Sequence, residues 1–195
     1  MKLEDVEELH YISPIANVPS ILKHGILSHH LADKMDHRSI AMPEIQDRRR
    51  TKQVPGGRRL HDYVNLYFEA RNPMLSKVRA RNSAICILAV GPDVLKKPGV
   101  VITDQNAASD YVRFYNTLDG LATINKETLR ARSWIHTDQI EKWKHASAKC
   151  AEVLVPDKVE SPCVREAYVA NETALEAFRK LEVSLKVRIL ADFFF

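Results

Sequence analysis

The stretch AKCAEVLVPDK, residues 148–158, carries one acid inside an apolar run. Successive side chains of a strand point to opposite faces of its sheet. Cys150, Glu152 and Leu154 therefore share one face, and Ala151, Val153 and Val155 the other. Both faces are apolar apart from Glu152, so the stretch reads as a short buried strand. Burying an ionised carboxylate without a partner costs several kcal/mol, so Glu152 is expected to be paired, to reach water, or to line a cleft.

Working outward, SAICILAV (83–90) is the clearest strand, apolar on both faces and expected inside the sheet. LHYISP (9–14), VNLYF (64–68), GVVITD (99–104), VREAYVA (164–170) and LKVRILADF (185–193) read as further strands. Between 15 and 27, Ile15, Val18, Ile21 and Leu22 recur at helical spacing, with Asn17 as N-cap and Gly25 as the C-terminal stop. Residues 108–124 suggest a helix starting near Ser109, and residues 128–135 and 139–148 read as partly helical. ETALEAFRKL (172–181) is a helix. Strands and helices mix without regular βαβ alternation, which predicts an α+β fold. The polar segment 29–53 is too long for an ordinary connection, and segments of that kind are more often lids or binding elements than spacers.

At 195 residues the chain is expected to form one domain, 1–195, with a core of its own. It has no apolar run long enough to span a bilayer, and its first residues, MKLEDVEEL, are acidic, unlike a signal peptide. The expected location is therefore cytoplasmic, with no membrane contact. Cys86, Cys150 and Cys163 are odd in number and lack CxxC spacing, so buried thiols are expected rather than a disulfide or a zinc site. His29, His30 and His37 have no second ligand cluster to match, and no metal is expected. P-loop, GxGxxG, GxSxG and HExxH patterns are all absent.

A net charge of +4 decides little, but its distribution says more. DRRRTKQVPGGRR (47–59) holds six basic residues against one acid, and KWKHASAK (142–149) leads into the Glu152 strand. One charge run is ordinarily a solvated face, whereas two in a small domain point toward a polyanionic partner.

The order of unusual segments adds to this reading. HYIS (10–13) is followed by RSIAMPEIQDRRR (38–50), VPGGRRLHDYVNLYFEARNPML (54–75), VVITDQNA (100–107) with RFY soon after, and AEVLVP (151–156). This resembles, over about residues 9–169, the DarT family of DNA ADP-ribosyltransferases, the toxin half of a bacterial toxin–antitoxin pair. The resemblance implies an ADP-ribosyltransferase fold, a split mixed β-sheet with an NAD cleft and flanking helices. It also implies transfer of ADP-ribose from NAD onto a base of single-stranded DNA, thymidine in the branch this chain looks most like. NAD enters as a substrate and no metal takes part.

By the same resemblance Glu152 falls on the catalytic glutamate and Arg49 on the active-site arginine. Tyr67 and Met74 match positions at the nicotinamide end of the cleft, and residues 37–50 match a helical NAD-binding element. Where the family's first strand often reads Y-H-I-T, this chain has His10-Tyr11-Ile12-Ser13. Either Tyr11 stands where the cleft histidine would, or the register is shifted by one; Ser13 keeps a hydroxyl in place of threonine. Met42 stands where relatives can carry tyrosine. The implied partner is a macrodomain antitoxin of the DarG type that removes the modification, and the protein is expected to be a monomer.

The chemistry needs such residues. Cleaving the nicotinamide–ribose bond passes through an oxocarbenium-like centre, which a nearby carboxylate stabilises. The same carboxylate can accept the N3 proton of thymine, a poor nucleophile until that proton leaves. Arginine offers a planar fork for a pyrophosphate, although only one of three consecutive helical arginines can face a cleft. Single-strand binders join a positive groove to aromatic stacking, which makes Arg48, Arg58, Trp143, Lys144 and His145 the candidate DNA contacts. Two alternatives stand beside this reading: an acceptor of another kind (another base, RNA or protein), and a nucleic-acid-binding module of the same fold without catalysis.

Overall fold

The structure is a computed structural model and describes residues 1–40 and 42–195. Its strands are β1 (Leu9–Pro14), β2 (Ile26–Leu27), β3 (Tyr63–Tyr67), β4 (Ile85–Val90), β5 (Val101–Thr103), β6 (Phe114–Tyr115), β7 (Glu152–Pro156), β8 (Lys158–Val159), β9 (Val164–Val169) and β10 (Val187–Ile189). The helices are α1 (Val18–His24), α2 (His29–Ala32), α3 (Pro43–Thr51), α4 (Pro73–Lys77), α5 (Lys126–Arg130), α6 (Gln139–Ala148) and α7 (Glu172–Arg179), with several short 3₁₀ turns between them.

Eight strands form one sheet in the order β10-β9-β4-β1-β3-β7-β5-β6, and β2 pairs with β8 in a small second sheet. The sheet is mixed: β9 and β10 run parallel, while the other ladders are antiparallel. β1 pairs with β4 along its whole length, and β3 does the same with β7. The two halves, however, meet only at the register pair His10↔Tyr67. Beyond that point β1 and β3 diverge, and this split makes room for a cleft without breaking either half.

The alternation in the 148–158 stretch is realised as expected. Ala151, Val153 and Val155 belong to the main core on one face, together with Val64, Leu66, Leu88 and the buried side of α7 (Ala174, Leu175, Phe178). The opposite face is covered by two separate apolar clusters. One contains Tyr67, Ile12, Ile87 and Cys150, and the other contains Tyr63, Leu60, Val54 and Leu154. Glu152, between Cys150 and Leu154, lies at the seam between them. β4 is buried at every residue between its neighbours β1 and β9, which explains its doubly apolar sequence.

α1 ends at Gly25, whose φ of +87° suits a residue without Cβ. A Cβ there would lie 2.4 Å from the Val159 carbonyl oxygen, so the close approach of β8 also requires glycine.

Residues 108–124 do not form the helix expected from their pattern. Phe114 and Tyr115 instead extend the sheet as β6, pairing with Thr103 and Ile102 of β5, and Leu118–Thr123 closes as a 3₁₀ turn. Pairing to an open sheet edge satisfies backbone groups that a lone helix would have to satisfy internally, and tertiary context overrides the local preference. Among the described residues, no helix is long and apolar enough to cross a membrane.

Candidate functional site

Helix α3 starts with Pro43 at its first turn and ends in Arg48, Arg49 and Arg50, where cations suit the helix dipole. Three consecutive helical residues point in three directions, and burial separates them. Arg48 is exposed, and Arg50 pairs on the surface with Asp47. Arg49 turns inward and is 5% exposed. Its Nη1 donates to both carboxylate oxygens of Glu152, at 3.0 and 3.2 Å, and Glu152 is 0% exposed. Sequence periodicity could not choose among the three arginines; the helix orientation does.

The carboxylate is held from its own side of the sheet as well. The Ala107 amide donates to Glu152 Oε1 at 3.2 Å. The Glu152 amide donates to the Thr103 hydroxyl at 3.0 Å, and that hydroxyl donates to the Gln105 carbonyl at 2.7 Å. The loop after β5 is thereby fastened to the first residue of β7. Lys52, at the end of α3, donates to the Ser109 carbonyl and ties the helix to the same loop. Arg49 Nη2 is buried and has no hydrogen-bond partner among the described residues. Because Arg49 also lines the cavity described next, this nitrogen leaves a donor that a ligand acceptor can meet.

A cavity of about 300 Å³ fills the split between β1 and β3, roofed by α2, α3 and the segment between them. Ala41, within the 37–50 segment expected to bind NAD, lies outside the described residues. Tyr11, Arg49, Tyr67, Met74 and Asn106 line the cavity, with Met42, Gln46 and His61 on the α3 side. Burial, reinforced by the Glu152 charge, raises the Tyr67 phenol well above its ordinary range. Burial pushes Tyr11 up to about 12. Both stay neutral at pH 7 and can serve as hydrogen-bond donors. His61 is pushed down to about 4, by burial first and then by His29 and Arg49. It is therefore uncharged at pH 7; its ring meets that of His29 at a tilt of 50° with centroids 4.1 Å apart, and its Nε2 contacts Gln46 Oε1 at 3.0 Å.

The first strand resolves the choice left by its sequence. Tyr11 faces the cavity, whereas His10 is buried on the other side, against Glu8 (3.1 Å) and edge-on to Phe193. Ser13, expected among the cofactor-binding residues, lies outside the cavity lining. It is buried, does not line the cavity, and its hydroxyl donates to the Pro14 carbonyl at 3.2 Å.

Of the nucleic-acid candidates, Lys144 and His145 line a second groove of about 540 Å³, with Asp104, Gln105, Thr128 and His136. Trp143, on the same helix, is 64% exposed. Arg48 and Arg58 are not in this groove, and Arg58 is held by Asp157 through two contacts of 2.8 Å. His145 is half-buried, with Nε2 donating to the Thr128 carbonyl at 3.0 Å and Nδ1 2.7 Å from His136 Nε2. The loop 104–107 separates groove from cavity: Asp104 and Gln105 face the former and Asn106 the latter.

Several site residues were not singled out from sequence. Asn106 and Ala107 sit in the quoted VVITDQNA segment, but nothing local told that the Ala107 amide would meet a glutamate 45 residues on. His61 and Gln46 carry no pattern that distinguishes them from surface residues. Among the described residues, no group of three or more His, Cys, Asp and Glu side chains is placed to hold a metal ion.

Comparison with known proteins bears on what this geometry does. A family model described as DarT, ssDNA thymidine ADP-ribosyltransferase, matches residues 10–195. A DNA ADP-ribosyl transferase–DNA ADP-ribosyl glycohydrolase fusion protein of Thermosipho africanus (strain H17ap60334) is 30% identical over 202 residues, covering 96% of this chain and 49% of that protein. The chain thus spans about half the length of that relative. Thermus sp. 2.9 DarT in complex with ADP-ribosylated ssDNA superimposes with a TM-score of 0.81 at 26% identity, covering 100% of this chain and 99% of that one. The same Thermus protein in complex with carba-NAD+ gives a TM-score of 0.80 at 25% identity, covering 98% and 99%.

Proposed function

The chain belongs to the DarT family of ssDNA thymidine ADP-ribosyltransferases, and from that premise we propose that it transfers ADP-ribose from NAD onto thymidine in single-stranded DNA, releasing nicotinamide. The observation that carries this reading is the buried Arg49–Glu152 pair, whose arginine lines the cleft and whose carboxylate is fully buried against it, with Arg49 Nη2 left for a ligand.

NAD occupies the split, its nicotinamide end toward Tyr67 and Met74, with Tyr11 and Asn106 on the walls. Arg49 Nη2 takes an oxygen of the cofactor while Nη1 steadies the carboxylate. The bond between nicotinamide nitrogen and ribose C1″ breaks with its electron pair going to nicotinamide, and Glu152 stabilises the positive ribose and orients its 2″-hydroxyl. Thymine N3 loses its proton to Glu152 and bonds to C1″, which conserves charge and atoms. A seam between two apolar clusters suits these steps, because fixed charges act more strongly where water is excluded.

On this reading the acceptor strand runs in the second groove, on the far side of the loop 104–107 from the NAD cavity. Lys144, which lines the groove, meets a phosphate in this reading; Trp143 is exposed on the same helix outside the groove's lining, and Arg48 and Arg58 are outlying contacts at most. We take residues 1–195 as one transferase domain, cytoplasmic and monomeric. Its partner is a DNA ADP-ribosyl glycohydrolase of the macrodomain type, in keeping with the fused activities of the Thermosipho relative.

The test is direct. Incubation with NAD and a thymidine-containing oligonucleotide should add one ADP-ribose by mass, at an unchanged rate in the presence of EDTA. Subsequent treatment with a DNA ADP-ribosyl glycohydrolase should remove it. Modification of RNA or protein in place of DNA, or a strict need for a divalent ion, would overturn the reading.

Binding of the oligonucleotide should weaken with salt, with log K falling by about 0.7 per neutralised phosphate for a single strand. Three to five contacts then give a slope of roughly −2 to −3.5 by fluorescence anisotropy. A flat response would mean that the basic runs are only solvated faces.

A further inference from the structure

Lys149 is 1% exposed and among the largest fully buried side chains of the protein. No carboxylate pairs with its ammonium among the described salt bridges. Its Nζ instead donates to the carbonyls of Leu129 (2.7 Å) and Ala131 (2.6 Å), below the ring of Trp134 at 5.9 Å. The Glu69 charge favours this ammonium, but burial outweighs it, so keeping a lysine here is costly, and methionine would fill the same space more cheaply if packing were its task.

The two acceptors explain its presence. Helix α5 has five residues, too few to be stable alone, and its last carbonyls lack partners within the helix. Helix α6 supplies them: His145 caps the Thr128 carbonyl, and Lys149 caps those of Leu129 and Ala131. Lys149 is the C-cap of α6 and stands three residues before Glu152, so the segment 126–135 is referenced directly to the strand that carries the carboxylate. A second tie, Arg130 to Glu69 at 3.7 Å, joins α5 to the segment just after β3. Neither Lys149 nor the residues it holds line the NAD cavity, whereas Thr128 and His145 line the second groove.

We propose that Lys149 is a positioning residue that fixes the acceptor side of the site and acts on transfer to the nucleic acid, not on NAD. This rests on the placement of the acceptor strand in the second groove. In the full chain, Lys149→Met should leave NAD affinity by calorimetry, and NAD hydrolysis without DNA, within about twofold. Transfer to a thymidine-containing oligonucleotide should fall about tenfold or more, chiefly through KM, the scale of losing charged hydrogen bonds. Amide hydrogen exchange over residues 126–135 should quicken by a similar factor while β7 stays protected. Lys149→Arg, which keeps the charge and the donors, should recover part of both effects, and the same two readouts on it decide the matter if Lys149→Met does not fold.

Transfer within twofold of the native rate, or NAD binding lost in step with transfer, would overturn the proposal. Failure of the native chain to modify any oligonucleotide would instead refute the acceptor reading. Exchange over 126–135 still tests the role of Lys149 in that case, and unchanged exchange in Lys149→Met would overturn it.

Discussion

Glu152→Gln is expected to bind NAD nearly as well as the native chain and to transfer ADP-ribose some 10²–10⁴-fold more slowly, the range typical of losing a general base. The substitution keeps the volume of a fully buried side chain, and an amide oxygen at the Oε1 position can still accept from Arg49 Nη1 and the Ala107 amide. What disappears is the charge that stabilises the ribose cation and the basicity that takes the thymine proton. Because both act after NAD is bound, the loss should fall on the single-turnover rate, with the calorimetric affinity for NAD close to native. A variant that lost NAD affinity and kept its rate would make Glu152 a binding group and not the base.

Arg49→Ala should be damaging in a different way. It leaves a carboxylate of 0% exposure without its counter-cation, and breaking a buried pair from one side costs about 3–5 kcal/mol. For a chain of this length that lowers the melting temperature by something on the order of 10 °C. NAD binding should weaken as well, because the free Nη2 goes with the side chain. The double change Arg49→Met with Glu152→Gln removes both charges and should recover most of the stability while remaining inactive. Thermal unfolding of the two single variants and the double variant measures the coupling. Additive losses in stability would show that the 3.0 Å contact does not act as a pair.

Much of this was legible in the residue order, for physical reasons that differ between parts. Alternation across 150–155 told which side chains share a face with Glu152, because strand geometry is local and the period of two leaves no choice. The doubly apolar 83–90 run told that β4 would be interior, and Gly25 told where α1 stops. The family resemblance implies Arg49, although DRRR alone offers three equivalent candidates.

Other features had no local signature. The helix expected over 108–124 gave way to β6 because β5 presents an open edge for Phe114 and Tyr115, and an edge belongs to the sheet, not to the segment. Ser13 is expected in the cleft by analogy, and only the tertiary structure leaves it buried outside the cavity lining that Tyr11 joins. Lys149 reads in sequence as one more cation of a basic run, yet two carbonyls about 20 residues earlier bury it.

The sequence by itself determined the strands, the faces they present and the acid on one of them, since these follow from backbone periodicity over a few residues. Only the tertiary structure decided what that acid meets. Arg49 and Glu152 are 103 residues apart, and their contact exists because packing of the two half-sheets and the seating of α3 close that distance. No periodicity along the chain encodes such a meeting, because the energy that enforces it is shared among the whole core and the loop it closes.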